Sequence, residues 1–475
     1  MLTRIFDYES ASDAAPYRRF WTVRHDAPGR RAGFRACEDT MVQTSQETAA
    51  TLSRVDGDAA LRKIAARLVP FLIICYFAAY LDRVNLGFAA ASMNASLGFS
   101  PTVFGWGAGV FFLGYALCET PSNLILHRTG ARRWIARIMI SWGLASGLMA
   151  FVWNETSFYA LRFILGATEA GFFPGVILYI TYWFPRLKRA QIFSWFLIAI
   201  PLSTVVGAPL SGMTLTLTDG LLGLHGWQWL FILETLPSIL LGVASWFYLT
   251  DCPAQAHWLS AEEKDWLQDV LEKEQRDAPE SETHVFWPAL KDPRNLLLGF
   301  SYFGVVLALY GVNLWLPQIV AGFGFEPVAA GFVTALPYLI GTAAMIFWGW
   351  RSDRTAERYG HTMSAALLTA LGLVWAGLAT NAIVSIIAVT VAVCGTLATI
   401  PAFWALTTQR ISGARAAASI AIINSIGHIA GFIGPYAVGW LKDSTGGFSS
   451  ALFALSLGPI LCAALTAATA LRDRG

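Results

Sequence analysis

From residue 68 onward the chain alternates between apolar runs of about 20 residues and short polar breaks. A run of that length, wound as a helix, crosses a hydrocarbon core ~30 Å thick. The pattern predicts twelve spans, at 68–90, 103–126, 133–152, 157–184, 190–216, 228–250, 295–320, 327–350, 362–379, 383–407, 415–440 and 448–471. The longest polar insert, 251–293, separates six spans from six. The expected fold is all-α and integral to a membrane, with two six-helix bundles over 61–250 and 294–475. A repeat of six spans is the pattern of a carrier built from two pseudo-symmetric halves.

The insert holds one helix signal. Ser260 precedes Ala261-Glu262-Glu263, which predicts an N-cap at Ser260 closed by Glu263 in a capping box. Trp258, Trp266 and Leu267 give this helix an apolar side suited to a membrane surface. The insert reads either as a hinge between bundles or as a solvated cytoplasmic linker. Residues 1–60 form a polar lead-in, and the first 50 are rich in arginine without an apolar core, so they are no cleaved secretory signal. They read as a disordered cytoplasmic tail or, alternatively, as sequence upstream of a start at Met41.

The breaks carry a second pattern. Arg62, Lys63 and Arg67 lie before the first span; Arg128, Arg132 and Arg133 follow the second; Arg186, Lys188 and Arg189 follow the fourth. Arg351, Arg354 and Arg358 follow the eighth, and Arg410 and Arg415 the tenth. The opposite breaks hold little Lys or Arg beyond Lys442. The positive-inside rule then expects both termini in the cytoplasm of a plasma (inner) membrane protein. Composition agrees: 55% of the 475 residues are hydrophobic and only 13% charged, about half the charged share of a soluble domain. The net charge of +2 says little, because its distribution matters more than its sum, and no nucleic-acid partner is expected. Cys75, Cys118, Cys394 and Cys462 fall inside apolar runs and read as small core residues, with no metal site.

Four charges inside the runs stand out: Asp82, Arg83, Arg162 and Glu169. Each costs at least ~2.5–3.5 kcal/mol near a bilayer midplane, so such residues are usually functional. Arg162 and Glu169 are two helical turns apart and share a face. Asp82 and Arg83 are about 100° apart around their helix, so they point in different directions. A guanidinium stays charged when buried and matches a carboxylate with two hydrogen bonds. Arg162 is therefore the leading anchor for an anionic substrate, and Arg83 is a second anchor or the partner of Glu169. A substrate carboxylate would compete with a resident one for the same guanidinium, which favours protonating Glu169 or Asp82. That competition is a physical route to proton–anion symport. The alternative is two neutral salt bridges that fix helix packing.

Tyr80, Tyr115 and Trp404 could line the cavity, or belong to core and interfacial belt. Asn424 and His428 are one turn apart on one helix face. His428 reads as a titratable group or as a satisfied packing residue. Gly166, Gly171 and Gly175 read as sites of close helix approach.

The loop after the eighth span, Gly349-Trp-Arg-Ser352-Asp353-Arg354, resembles the Gly-x-x-x-Asp-Arg loop motif of the major facilitator superfamily, and the resemblance covers about 60–472. It implies a gating loop at Gly349, Asp353 and Arg354. The copy after the second span has Asn123 and His127 where Gly and Asp are usual. Tyr80-x-Asp82-Arg83-x-Asn85, Pro121-Ser122-Asn123, Gly130-Ala131-Arg132-x-Trp134, the stretch Arg162 to Glu169, and Phe403-Trp404 followed by Asn424-Ser425 look like the anion:cation symporter family. Trp227 to Glu234 and Asp251 to Leu259 look most like members labelled tartrate transporters. The resemblance implies import of a small organic anion through alternating access, with Asn424 at a substrate-contacting position, no cofactor and a monomeric carrier. The other function classes are an exporter of an aromatic or drug-like compound and a non-transporting membrane sensor. No Gly-x-Ser-x-Gly, His-Glu-x-x-His or phosphate loop points to an enzyme.

Overall fold

The computed structural model describes residues 56–276, 286–410 and 415–472, so the lead-in up to residue 55 lies outside the described residues and its last residues belong to the first helix. Among the described residues all long elements are helices, and twelve spans are long and apolar enough to cross a membrane. In the first half these are α1 (Gly57–Leu97), α2 (Pro101–Thr129), α3 (Ala131–Leu148), the pair α4 (Glu155–Glu169) and α5 (Phe172–Thr181), the pair α6 (Arg186–Leu197) and α7 (Ala199–Leu217), and α8 (Gly226–Tyr248). The insert contributes α9 (Ala261–Arg276) and α10 (Phe286–Lys291). The second half contains α11 (Pro293–Ala321), α12 (Pro327–Thr355), α13 (Tyr359–Leu378), α14 (Ala382–Arg410), α15 (Arg415–Thr445) and α16 (Ser449–Arg472).

Two boundaries differ from the apolar pattern for local reasons. Helix α1 begins at Gly57, well before its apolar run, because the Asp56 side chain accepts from the N–H groups of Asp58 and Ala59, each at 3.1 Å. The fourth span is not one helix. It breaks after Glu169, where Gly171 adopts φ 89°, a left-handed conformation that a side chain disfavours. A methyl at Gly171 would also stand 2.2 Å from Ser122 Oγ on α2.

An even number of spans brings the first and last described residues to one end of the molecule, called here the terminal end. At the opposite, far end the two halves close on each other along two seams. Between α2 and α15, a methyl on Gly105 would lie 2.5 Å from the Pro435 carbonyl oxygen, and one on Gly439 would lie 2.2 Å from that of Pro101. The Thr102 N–H donates to Asp443 at 2.7 Å across the same seam. Between α7 and α12, a methyl on Gly331 would lie 2.5 Å from the Ala208 carbonyl oxygen. Backbones this close hold the two halves together along both seams.

Helix α9 has the anticipated capping box: Glu263 N–H donates to Ser260 Oγ (3.2 Å) and Ser260 N–H to Glu263 Oε2 (2.8 Å). Its apolar side covers protein. Trp258 stacks on Trp183 at 5.5 Å, with the Arg67 guanidinium 5.1 Å from its ring, and Trp266 lies against Gly57. Ion pairs Lys63–Glu263 (2.8 Å) and Arg189–Glu274 (3.2 Å) tie the helix to the terminal ends of α1 and α6. These contacts replace the expected membrane surface with the first bundle, because its terminal face offers both aromatic surface and cations.

Candidate functional site

Arg83 projects from the middle of α1 into the space between the halves. One guanidinium nitrogen pairs with the Glu169 carboxylate, and Nη1 donates to Tyr310 Oη on α11 at 3.1 Å. The rings of Tyr80, Phe111 and Tyr115 lie 5.3, 5.3 and 5.8 Å from its guanidinium carbon. These rings cradle the cation by their quadrupoles and bring no competing negative charge. Glu169 is the last residue of α4 and 2% exposed, at the point where the span unwinds.

Arg162, 3% exposed, takes a different environment. Its Nε donates to the Gly107 carbonyl (3.3 Å) and Nη2 to that of Ala108 (3.4 Å), while the Phe111 ring lies 4.8 Å away. Phe111 thus stands beside both guanidiniums. Of the partners the sequence left open for Glu169, the carboxylate takes Arg83, not the Arg162 two turns away on its own helix, and Arg162 is held by α2 carbonyls. Asp82 points the other way, into the first bundle. It accepts from Trp142 Nε1 (2.6 Å) and Ser146 Oγ (3.1 Å), both on α3. The divergence of neighbours Asp82 and Arg83 is what helical geometry requires.

The second bundle meets this site through α15. Asn424 Nδ2 donates to Glu119 Oε1 at 3.3 Å, and His428 Nε2 lies 3.2 Å from Glu119 Oε2. The Tyr115 ring is 5.0 Å from that of His428. Trp404 is half-buried and edge-on to Tyr302 at 5.1 Å. Tyr80 (2% exposed) and Tyr115 (3%) are buried beside Arg83.

The loop residues sit at the terminal end. Asp353 pairs with Arg358 at 2.7 Å, Arg354 lies 5.4 Å from the Trp350 ring, and Gly349 faces open space. In the other copy, Asp251 at the end of α8 supplies the carboxylate, accepting from the Arg132 N–H at 2.8 Å at the start of α3.

Sequence reasoning named four intramembrane charges; two more acids belong with them. Glu119 and Glu234 lie inside apolar runs, and the same rule finds both. Glu234 on α8 has a buried Oε2 without a hydrogen-bond partner. The roles of Phe111 and Tyr310 had no signal, since aromatic residues are common throughout the spans.

A family model described as "Major Facilitator Superfamily" matches residues 72–435. The chain belongs to that superfamily. A relative from Agrobacterium vitis named "Putative tartrate transporter" is 51% identical over 393 residues, covering 83% of this chain and 90% of the relative. A "Quinolone resistance transporter" of Acinetobacter baumannii is 39% identical over 398 residues, covering 84% and 92%. The xylose transporter of E. coli, solved in a partially occluded inward-open conformation, shares the fold at TM-score 0.67 and 13% identity, covering 84% of this chain and 97% of that one. The protein is a multi-pass inner-membrane transporter of a small molecule.

Proposed function

We propose that this transporter imports small organic anions, tartrate or a related hydroxy acid, by proton symport and alternating access. Arg83 carries the reading: it is held at once by Glu169 of the first bundle and Tyr310 of the second. A substrate carboxylate arriving at Arg83 displaces Glu169, whose released carboxylate is then favoured to take a proton, while Arg162 stands by as a further anchor. Asp82 on α1, held by Trp142 and Ser146, is a second proton carrier. Tyr80, Tyr115, Trp404 and Asn424 line the path, and the loops at Gly349, Asp353 and Arg354 gate its terminal side. The names of the Agrobacterium relatives and the resemblance to anion:cation symporters support the substrate class. The basic loops support a cytoplasmic terminal end. The chain acts as a monomer whose six-span halves rock about the site.

The quinolone-resistance relative favours a second reading, outward transport of an aromatic compound through the same ring-lined space. Purified protein in liposomes separates them. Labelled tartrate should accumulate when the lumen is alkaline relative to outside, and a protonophore should abolish it. Proton-driven movement of a fluoroquinolone without tartrate uptake would establish the second reading instead.

A further inference from the structure

Helix α15 presents two nitrogen donors one turn apart. Asn424 Nδ2 and His428 Nε2, which donates when it carries the ring proton, are 3.2 Å from each other and address both oxygens of one carboxylate. That spacing fits a carboxylate bound by two donors, much as a guanidinium binds one. The occupant is Glu119, which reaches across from α2 in the other bundle. Its side chain is 15% exposed and that of His428 16%, so the pair sits at a wall rather than sealed in a core.

The arrangement parallels Arg83 and Glu169. In both, a resident acid of the first bundle occupies a nitrogen donor that faces the space between the halves. A single ring separates the two pairs: Tyr115 lies 5.8 Å from the Arg83 guanidinium carbon and 5.0 Å from the His428 ring. The second bundle has little else for an anion. Among its described residues, Lys and Arg lie near span ends, as with Arg294, Arg351, Arg354, Lys442 and Arg472.

We propose that Asn424 and His428 form a second anion-binding fork of the transport site, in which Glu119 stands in for the far carboxylate of a small diacid. This rests on the anion-carrier reading above and extends it. A diacid spans both forks and replaces two resident acids. A monoacid fills the Arg83 fork and leaves Glu119 where it is. When a diacid binds, the tie between α2 and α15 passes through the substrate, so the site recognises a substrate with two anionic ends.

The test is counterflow of labelled tartrate in liposomes, competed by unlabelled tartrate and by its monoamide, which has lost one carboxylate but keeps the length. In His428→Gln, losing a charge-assisted bond should weaken the diacid about tenfold and the monoamide less than about threefold. In Glu119→Gln the stand-in competes less well, and the diacid should bind more tightly relative to the monoamide. Equal weakening of both competitors in His428→Gln, or an unchanged ratio in Glu119→Gln, overturns the fork and leaves a plain clasp between bundles. If neither variant reaches the membrane, the pair is structural and the proposal falls. If wild-type protein moves neither acid, the anion-carrier reading falls and takes this one with it. Normal wild-type exchange with unchanged variant ratios removes this inference alone.

Discussion

The two six-span halves differ most in what they bury. The first holds Asp82, Arg162 and Glu169 at 4%, 3% and 2% exposure, with Arg83 beside them. The buried polar side chains described in the second are neutral, and several pair among themselves or with the backbone: Tyr338 Oη donates to Asn313 Oδ1 at 3.0 Å, Asn295 Nδ2 to Ser419 Oγ at 2.8 Å, and Thr396 to the Ala392 carbonyl at 2.9 Å. Two halves with the same six-span layout therefore face opposite demands. Buried ion pairs are weak evidence for stability, because desolvation offsets the attraction. Their concentration in one half fits a division of labour, with the buried charges in the first bundle and neutral polar groups facing them from the second.

The largest effect should come from separating those roles at Arg83. Arg83→Ala leaves Glu169 buried beside no cation, and breaking such a pair typically costs ~3–5 kcal/mol. The thermal midpoint in detergent should fall sharply and counterflow should vanish. The double variant Arg83→Met, Glu169→Leu should recover most of the stability and none of the transport. A double variant as unstable as the single one would show that the first bundle needs its charges to fold, and the comparison would break.

Arg162→Lys asks a narrower question in the same half. Lysine retains the charge but not the planar fork, which now reaches two α2 carbonyls. Counterflow affinity should weaken by about tenfold or more with normal membrane abundance. Near-normal affinity would make Arg162 a packing residue and leave Arg83 as the lone anchor.

The contrast also governs how much could be read from the sequence. Twelve spans were legible because apolar run length is a strong signal, and the capping box at Ser260 was legible because it is local. Arg83, Arg162 and Glu169 were legible as charges in apolar runs, and Arg83 as the partner of Glu169 was one reading among others that the sequence left open. Helical spacing says which residues share a face; it does not say which other helix that face meets, and Glu169 finds Arg83 across α1. The break at Gly171 had a signal, a glycine with Pro174 three residues on, which was read as close packing. Glu119 fits the charge rule but draws notice only once α15 brings Asn424 and His428 against it. Neutral partners such as Asn313 and Tyr338 have no sequence signature, since polar residues at helical spacing are common.

That neutral wall predicts a smaller effect. Asn313→Leu strands the Tyr338 hydroxyl, and an unsatisfied buried group costs about 1–3 kcal/mol. Asn313→Leu with Tyr338→Phe removes both partners and should be close to wild type in thermal midpoint. Transport should follow stability in both variants. Transport lost in the stable double variant would show that this neutral pair serves transport as well as packing, and would weaken the contrast.

The smallest effect concerns the linker, which sides with the charged half through α9. Burial works against ionising Glu263, but the Lys63 ammonium and the Ser260 N–H outweigh it and hold its carboxyl below the usual glutamate range. A carboxyl depressed by folding adds stability above its unfolded pKa, and the contribution disappears as pH falls through the folded value. Lys63 is about half exposed, and such surface pairs are worth only ~0.2–1 kcal/mol. Glu263→Gln should therefore speed hydrogen exchange of the 261–276 amides by no more than a few-fold at pH 7. The difference from wild type should shrink as the medium is acidified past the folded pKa. Tartrate counterflow should be unchanged, because the aromatic contacts of Trp258 and Trp266 still seat the helix on the first bundle. Exchange that rises throughout α9 to the rate of an undocked helix would show that the ion pair, rather than those rings, fastens the linker to the charged half.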